Sequence, residues 1–345
     1  MAALASIAQT CSDGWFFCLR SVQMSSFSHK SFEEQVALLE SRGMLFSGEQ
    51  DKKKAEQKLS IISYYKLKEF ARPFSKIVTV DGVRQINYQN TPFKKITVRY
   101  YQDKRLRLRL HLLDALEDIE VALKTQVAFV LGYRRLGPYG YLNFSQWCNK
   151  KEYCKHYLKY REEKFKKQLK AELKRTTSPE IKEKLKIDNM KYPPIWLAIN
   201  LMTFGQIINL IELMSTNNIR QIAKQYDCSD AELLSWLKCL NLLRNMCAHN
   251  SNIIDLKMHT TPILREEWKE LLYELKEGVY SNRIALPIII VKYMMDAIDN
   301  QYNFREIFGS FRKLIDKSQR QANYYGLKNK EVLNCLQHNS LYTRI

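Results

Sequence analysis

Apolar residues recur along this chain at spacings of three and four positions, which place them on one face of an α-helix. The longest such run predicts a central helix between Phe93 and Tyr133. The apolar face of that helix is marked by Leu106, Leu110, Leu113, Leu116, Ile119 and Leu123. Shorter runs predict helices over residues 54–70 and 195–214. With only 11 Gly and 8 Pro to interrupt helices, we expect a mainly α-helical fold.

Local signals locate two helix starts and one exception to the helical pattern. Ser31 and Ser229 each precede acidic residues, as helix N-caps do. The helix after Ser229 carries an apolar stripe from Leu233 to Leu243. Between Ile77 and Thr91, valines and an isoleucine flank Asp81-Gly82, which predicts a small β-hairpin or an irregular insertion.

These patterns predict three segments. Residues 1–27 lack the basic start of a signal peptide and are expected to be a poorly ordered or non-native extension, with Met24 as an alternative start. Residues 28–300 are expected to form a helical domain, with Lys191-Tyr192-Pro193-Pro194 as a candidate subdomain boundary near residue 190. Residues 301–345 are expected to form a C-terminal helical tail.

The chain carries a large excess of positive charge. It has 55 Lys and Arg against 36 Asp and Glu, which gives a net charge of +19. Such an excess attracts polyanions and indicates nucleic acid or an anionic membrane surface, whereas the alternative is an ordinary soluble basic protein. No stretch of about 18 uninterrupted apolar residues is present, so we do not expect the chain to span a membrane.

The cysteine pattern bears on metals and on the compartment. The 8 cysteines include no C-x-x-C pair, which argues against a zinc ribbon or a disulfide scaffold and favours a reducing cytoplasm. Cys148, Cys154 and His156 are close in sequence, but no second pair of metal ligands follows them. We therefore expect neither a metal nor a cofactor.

Positive charge is concentrated between Lys150 and Arg175. Tyr153, Tyr157, Tyr160 and Phe165 alternate with the cations there, so the segment is a candidate surface for an RNA backbone with stacked bases. The candidate RNA-binding residues are Lys150, Lys151, Lys155, Lys159, Arg161, Lys164, Lys166 and Lys167. The alternative interpretation is a solvated helix face.

The candidate chemistry lies at the end of the helix that begins after Ser229. Arg244 precedes His249 by five positions, and Asn245 lies beside the arginine. At about 100° per residue, Asn245 and His249 share one face, while Arg244 lies about 140° from His249. Arg244 and His249 of one copy therefore do not point at the same phosphate. A site composed of residues from two copies of the chain, related by a two-fold axis, would remove that requirement.

These residue types suit RNA cleavage without a metal, in which the 2′-hydroxyl attacks the neighbouring phosphate. His249 would be the general acid or base, Arg244 would hold the phosphate, and Asn245 would orient the ribose or His249. The alternative is structural: Arg244 forms an ion pair and His249 caps the helix. A similar spacing between Arg105 and His111 lacks an adjacent Asn and is interpreted as accidental.

Several separated blocks, in this order, resemble the bacterial abortive-infection protein family of the AbiD and AbiF type over roughly residues 30 to 300. The blocks are Phe32-Glu33-Glu34-Gln35, Ser41-Arg42-Gly43, Tyr64-Tyr65-Lys66-Leu67, Glu117-Asp118-Ile119-Glu120, Pro194-Ile195-Trp196, Phe204-Gly205 and Leu243-Arg244-Asn245-Met246-Cys247-Ala248-His249. The resemblance implies a HEPN-type helical bundle and an RNase that halts growth of phage-infected cells. The chain departs from the family at Asn200, where a Glu is common, and after His249, where an aromatic-rich continuation is common.

From these features we expect a dimeric, metal-independent endoribonuclease of anti-phage defence or of toxin type. Its expected partners are RNA, a second copy of the chain and an antitoxin, without a membrane. The alternative is a non-catalytic module that holds a structured RNA or a regulatory partner, with the histidine motif serving a structural role. A third interpretation is regulatory protein–protein association through apolar helices.

Overall fold

Helices form most of the described chain, which confirms the expected mainly α-helical fold. A computed structural model of the chain describes residues 29–80, 82–133, 136–187, 190–259, 261–315, 318–338 and 341. The predicted extension over residues 1–27 and the alternative start at Met24 lie outside the described residues. Among the described residues, no helix is both long enough and apolar enough to cross a membrane.

The chain divides into two compact units. The smaller unit contains the described residues of 1–64 and 75–93, and the larger contains those of 65–74 and 94–345. The three expected segments are each continuous in sequence, whereas the smaller unit is assembled from two separate stretches of chain. The expected boundaries at 28, 190 and 300 stay predictions.

The smaller unit combines helices with short strand pairs. Its elements are α1 (Phe32–Ser41), β1 (Met44–Leu45), α2 (Glu49–Ile62), β2 (Lys76–Val80), β3 (Val83–Asn87) and β4 (Thr91–Pro92). The expected cap at Ser31 is confirmed, because its side chain accepts from Glu34 N while the Glu34 carboxylate accepts from Ser31 N. Strands β2 and β3 form the expected hairpin, with Val80 paired to Val83.

The larger unit contains the remaining elements. These are α3 (Tyr64–Ala71), α4 (Phe93–Leu106), α5 (Leu108–Gly132), α6 (Phe144–Trp147), α7 (Lys155–Arg175), α8 (Pro179–Ile187), α9 (Ile195–Ala198), α10 (Phe204–Leu213), α11 (Thr216–Ala223), α12 (Asp230–Ala248), α13 (Glu266–Lys269), β5 (Glu274–Lys276), β6 (Val279–Tyr280), α14 (Ala285–Ile298), α15 (Arg305–Ile315), α16 (Gln319–Tyr325) and α17 (Val332–His338). The first residues of α3 and α4, Tyr64 and Phe93, belong to the smaller unit. Strands β5 and β6 form a second antiparallel pair.

Helix α5 is the centre of the larger unit. It packs against α9, α10, α11, α12, α14 and α15. Its buried face includes Leu112, Leu116, Ile119, Leu123 and Val127. Helix α12 runs against one side of α5, and α14 packs against both α5 and α12. The placement of α12 beside a buried helix determines which of its residues can reach solvent.

The prediction of one continuous helix from Phe93 to Tyr133 is wrong. The chain breaks at Arg107, whose φ of 55° lies in the left-handed region, so α4 ends at Leu106 and α5 begins at Leu108. The break shifts the buried face, because Leu112 is buried while Leu110 is 61% exposed. A spacing pattern that continues across a break cannot reveal this change of face.

Two further predicted helices are also divided. The predicted helix over 54–70 is interrupted at Ser63, which has a φ of 59°, and becomes α2 and α3. The predicted helix over 195–214 is interrupted by Thr203, whose side chain accepts from Gln206 N and starts α10. At Thr203, the N-cap hydrogen bonds of a new helix form in place of continued hydrogen bonding of the preceding helix.

Replacing Leu123 by Ala should lower the free energy of unfolding by about 2–5 kcal/mol, because it empties space at the centre of the larger unit. Leu110→Ala is the same chemical change at an exposed position of the same helix, and should cost less than about 0.5 kcal/mol. Urea unfolding followed by far-UV circular dichroism measures both. Equal losses in the two variants would contradict the central position of α5.

Candidate functional site

Helix α12 carries the sequence motif at its C-terminal end. The helix begins at the expected cap, where the Ser229 side chain accepts from Glu232 N and the Glu232 carboxylate accepts from Ser229 N. Its apolar stripe is buried and contains Leu233, Trp236, Leu237, Leu240 and Leu243. Because the stripe is fixed against the core, the residues that follow Leu243 emerge at a defined point of the surface.

Backbone hydrogen bonds close the end of α12. Asn250 adopts a left-handed conformation with φ of 58°. Its N–H donates to Cys247 O at 3.2 Å, and Ser251 N donates to Met246 O at 2.8 Å. This pair of bonds is the Schellman arrangement, in which amides beyond the helix satisfy its last carbonyl groups. The helix end is therefore completed without the side chain of His249.

His249 and Asn245 are exposed at this end of the helix. His249 N donates to Asn245 O at 2.9 Å, as their four-residue spacing requires. Among the described residues, neither side chain makes a hydrogen bond. The polar atoms of these two side chains are thus open to a ligand.

Arg244 lies on another side of α12, towards α5. Its side chain is about one third exposed, and its Nε lies 3.7 Å from Glu120 Oε2. Arg244 Nε is buried and lacks a hydrogen-bond partner among the described residues. Glu120 Oε1 is itself 2.9 Å from Lys124 Nζ. The arginine is positioned by a loose ion pair, and its Nη groups make no hydrogen bond to the described chain.

The structure therefore brings Asn245 and His249 to one exposed face but leaves Arg244 about 140° away around the helix. Glu120 and Lys124 belong to the surroundings of Arg244, and the sequence reasoning did not identify either as a site residue. A signal was present, since a Glu followed four positions later by a Lys is a favourable pair on one helix face.

Cys247 lies inside the motif and is a packing residue. Its side chain is buried, and that burial raises the pKa of the thiol to about 12. The thiol stays protonated near neutral pH, because a pKa of about 12 leaves almost no thiolate at that pH. It therefore does not act as a nucleophile beside His249.

Cations hold the chain just after the motif. Lys66 Nζ donates to Asn250 O at 2.6 Å. Arg109 Nη1 donates to Ser251 O at 3.0 Å and is 2.8 Å from Asp103 Oδ2. Burial raises the pKa of Asp103, an effect that the Arg109 charge opposes. Positive groups beside the C-terminal end of α12 also interact favourably with the negative end of the helix dipole.

Asn252 and Asp255 continue this polar cluster. Asn252 Nδ2 donates to Asp255 Oδ2 at 2.7 Å, and Asn252 N donates to Glu69 Oε2 at 3.1 Å. Asp255 forms a salt bridge with Arg99 and accepts from Tyr324 OH at 2.9 Å. Asn252 and Asp255 thus anchor the segment that follows His249 to the rest of the larger unit.

A groove, which we call the α5 groove, lies between α5 and the residues of α9 with those that directly follow it. Its volume is about 510 Å³, and its lining includes Val121, Lys124, Phe129, Tyr133, Trp196 and Asn200. Phe129 is 56% exposed and Trp196 is 52% exposed. Asn200 lies in the wall of this groove and donates through Nδ2 to Trp196 O at 3.4 Å.

The basic segment is largely solvent-facing. Six of the eight candidate RNA-binding residues are exposed: Lys150, Lys151, Lys155, Lys159, Lys164 and Lys167. Lys166 is engaged by Glu162, with Nζ 2.6 Å from Oε1. Arg161 Nη1 donates to Tyr157 OH at 2.6 Å. At about 100° per residue, Lys164 lies about 180° from Lys155, so these cations surround α7 instead of forming one stripe.

The tyrosines of this segment differ from its phenylalanine. Tyr153 and Tyr157 are stacked, with ring centroids 5.4 Å apart, and Tyr160 is exposed. Phe165 is buried, and its ring centroid lies 5.5 Å from that of Phe144. The suggestion that Phe165 offers a ring for stacking to a base is therefore wrong, because its position falls on the buried face of α7.

Cys148 is buried and Cys154 is exposed, so the two thiols lie in different environments. Burial raises the pKa of the Cys148 thiol to about 12. Within the described residues, no group of three His, Cys, Asp or Glu side chains is arranged to hold a metal ion.

Asn250→Val should lower the free energy of unfolding by about 1–2 kcal/mol, because a β-branched residue is strained in the left-handed conformation. Asn250→Gly is the matched control and should leave stability nearly unchanged, since Gly adopts this conformation freely. Thermal unfolding of the two variants measures the difference. If both variants were equally stable, the left-handed closure of α12 would be refuted.

Comparison with known proteins adds one finding. A family model described as Abi-like protein matches residues 57–255, which is more than half of the chain. The matched range contains the α12 motif, the α5 groove and the basic segment. No curated protein and no solved structure matches the chain at a significant level.

Proposed function

This chain belongs to the Abi-like protein family, and we propose that it is a dimeric, metal-independent endoribonuclease with a HEPN-type helical bundle. Family membership connects the chain with abortive-infection defence. The observation that carries the proposed activity is the set of uncommitted polar groups at one helix end. The Arg244 Nη groups and the side chains of Asn245 and His249 make no hydrogen bond to the described chain.

These groups supply what cleavage of an RNA backbone needs. The 2′-oxygen attacks the adjacent phosphorus while a neutral His249 accepts the hydroxyl proton, and a protonated His249 donates a proton to the departing 5′-oxygen. The products are a 2′,3′-cyclic phosphate and a 5′-hydroxyl end. Arg244 binds the phosphate oxygens through its fork of donors and compensates their growing negative charge. Asn245 orients the ribose or His249.

A dimer reconciles these roles with the helix geometry. Within one copy, Arg244 and His249 lie about 140° apart around α12, so a single regular helix does not direct both at one phosphate. Two copies related by a two-fold axis place Arg244 of one near His249 of the other, and provide two histidines for the two proton transfers.

The α5 groove is the face that best suits this contact. Val121, Phe129 and Trp196 expose apolar surface there, and exposed apolar surface of this kind marks protein–protein contacts. Lys124 lines the groove and is linked to Arg244 through Glu120, so a contact at the groove lies beside the arginine.

The exposed cations of the basic segment would hold the substrate. Lys150, Lys151, Lys155 and Lys159 precede or begin α7 and have no carboxylate within 4.0 Å among the described residues. Such residues bind phosphates without reading sequence, so they contribute affinity more than specificity. Cellular RNA is a cytoplasmic substrate. A toxin that cleaves it would need an antitoxin that inhibits it, or a trigger that activates it only during infection.

The second candidate function is a non-catalytic module that holds a structured RNA or a regulatory partner. It is favoured by the segment after His249, in which Asn252 and Asp255 make structural contacts, and by Asn200, an uncharged residue where the resemblance to the abortive-infection family leads us to expect a Glu. In that case the basic segment would bind RNA and Arg244 would only pair with Glu120.

His249→Ala and Arg244→Lys should each lower the rate of RNA cleavage by about 100-fold or more, because the first removes the proton-transfer group and the second removes the planar fork of donors. His259→Ala changes another exposed histidine and should retain the wild-type rate. Single-turnover cleavage of a labelled RNA in EDTA measures all three.

The outcomes separate the two candidate functions. RNA binding by the wild-type protein without cleavage, and with unchanged affinity in His249→Ala, would favour the non-catalytic module. Equal cleavage by the wild type and His249→Ala would show that the activity arises elsewhere or from a contaminant, and would refute the proposed site.

Phe129→Glu should convert a dimer into a monomer and abolish cleavage, because it places a charge in the apolar contact at the α5 groove. Leu110→Glu introduces the same charge at an exposed leucine of the same helix and should leave the dimer intact. Multi-angle light scattering measures the mass of each variant. A wild-type chain that stays monomeric with and without RNA would contradict the composite site.

A further inference from the structure

A second groove lies on the surface of α4 and has no part in the function proposed above. Its volume is about 610 Å³, and it is lined by Val98, Tyr101, Lys104, Arg105 and Arg107, which together we call the α4 groove. At about 100° per residue, Val98, Tyr101 and Arg105 fall within about 60° of one another around the helix axis. An apolar and an aromatic side chain therefore share one face with a cation.

Within the part of the chain that the structure describes, the cations that line this groove lack the carboxylate partners that the neighbouring arginines Arg99 and Arg109 have. Arg99 and Arg109 each form a salt bridge with an aspartate on the inner side of the helices. Among the described residues, no carboxylate oxygen lies within 4.0 Å of the charged groups of Lys104, Arg105 or Arg107. All three of these side chains are exposed. Three positive charges are thus concentrated in a groove without a counter-charge from the described chain.

The groove is connected along the chain to a residue that contacts the segment after the motif. Arg107 is separated by one residue from Arg109, whose guanidinium donates to Ser251 O at 3.0 Å and to Asn250 O at 3.4 Å. Asn250 is the residue directly after His249. A strand of nucleic acid held at His249 would therefore pass close to the α4 groove if it continued on this side of the motif.

We propose that the α4 groove binds a stretch of single-stranded RNA next to the motif. Arginine and lysine recognise phosphate oxygens, and the Tyr101 ring adds a surface on which a base stacks. An unpaired base has a free face for such stacking, whereas a base inside a duplex does not. The assignment rests on the proposed function, because the RNA strand in the groove is the continuation of the strand at His249.

The test measures RNA affinity in a chain that cannot cleave. In a His249→Ala background, Lys104→Gln, Arg105→Gln and Arg107→Asn together remove the three charges, and Asn is chosen at 107 because it tolerates a left-handed conformation. The dissociation constant for a short labelled single-stranded RNA should rise on the order of tenfold. The slope of log affinity against log salt should become shallower by about 2, since each lost phosphate contact removes about 0.7.

A charge-matched control distinguishes contact from long-range attraction. Lys53→Gln, Lys54→Gln and Lys182→Gln remove three exposed cations from α2 and α8 and should leave the salt slope nearly unchanged. Circular dichroism melting verifies that both triple variants are folded. Equal losses of affinity and slope in the two variants would overturn the assignment, as would a loss of binding to anionic phospholipid vesicles with unchanged binding to RNA.

The proposed function and the α4 groove fail in different ways. Groove-dependent RNA affinity in a protein whose wild type does not cleave RNA would sustain the groove and reject the nuclease. Cleavage that depends on His249, combined with RNA affinity that is indifferent to the three groove cations, would sustain the nuclease and reject the groove.

Discussion

Burial of α5 is the constraint on which the larger unit depends. A helix of 25 residues with Leu112, Leu116 and Leu123 fully buried must be covered on several sides, and six helices provide that cover. Because α12 is one of them, its apolar stripe must face α5. The rotation of α12 about its own axis is then fixed, so Arg244 lies beside Glu120 while Asn245 and His249 reach solvent.

The polar contacts around the motif are distributed unevenly. The last carbonyl groups of α12 accept from backbone amides, and Lys66 and Arg109 donate to the carbonyls of Asn250 and Ser251 just after the helix. The side chains of Asn245 and His249 receive no comparable contact from the described chain. The closed helix end determines where these two side chains leave the backbone, and their polar atoms stay open to a ligand.

The two basic surfaces differ in how their charge is arranged. On α7 the cations surround the helix, and Lys166 is paired with Glu162. In the α4 groove, Lys104 and Arg105 end α4 and Arg107 follows it, and none of the three has a carboxylate partner among the described residues. Arg109, two positions after Arg107, contacts the segment that follows His249. Phosphate contacts add affinity roughly in proportion to their number, whereas position relative to the motif decides which part of an RNA is presented.

The local sequence pattern predicted the helical type of most elements and the places where two of the helices begin. Periodic leucines predicted helices, Ser31 and Ser229 marked their starts, and Asp81-Gly82 predicted the hairpin between β2 and β3, because each of these signals acts within a few residues. The same local character explains the errors. The breaks at Arg107 and Ser63 depend on left-handed backbone conformations that no local spacing requires.

Packing between distant parts of the chain determines which side chains of the motif have neighbours. The pairing of Arg244 with Glu120 joins residues 124 positions apart, and the contact of Lys66 with Asn250 joins residues 184 positions apart. The burial of Phe165 and the exposure of Leu110 likewise depend on which helices cover them. The spacing of Arg244 and His249 gave their angle around α12, but the packing of α12 against α5 decided which of them faces protein and which faces solvent.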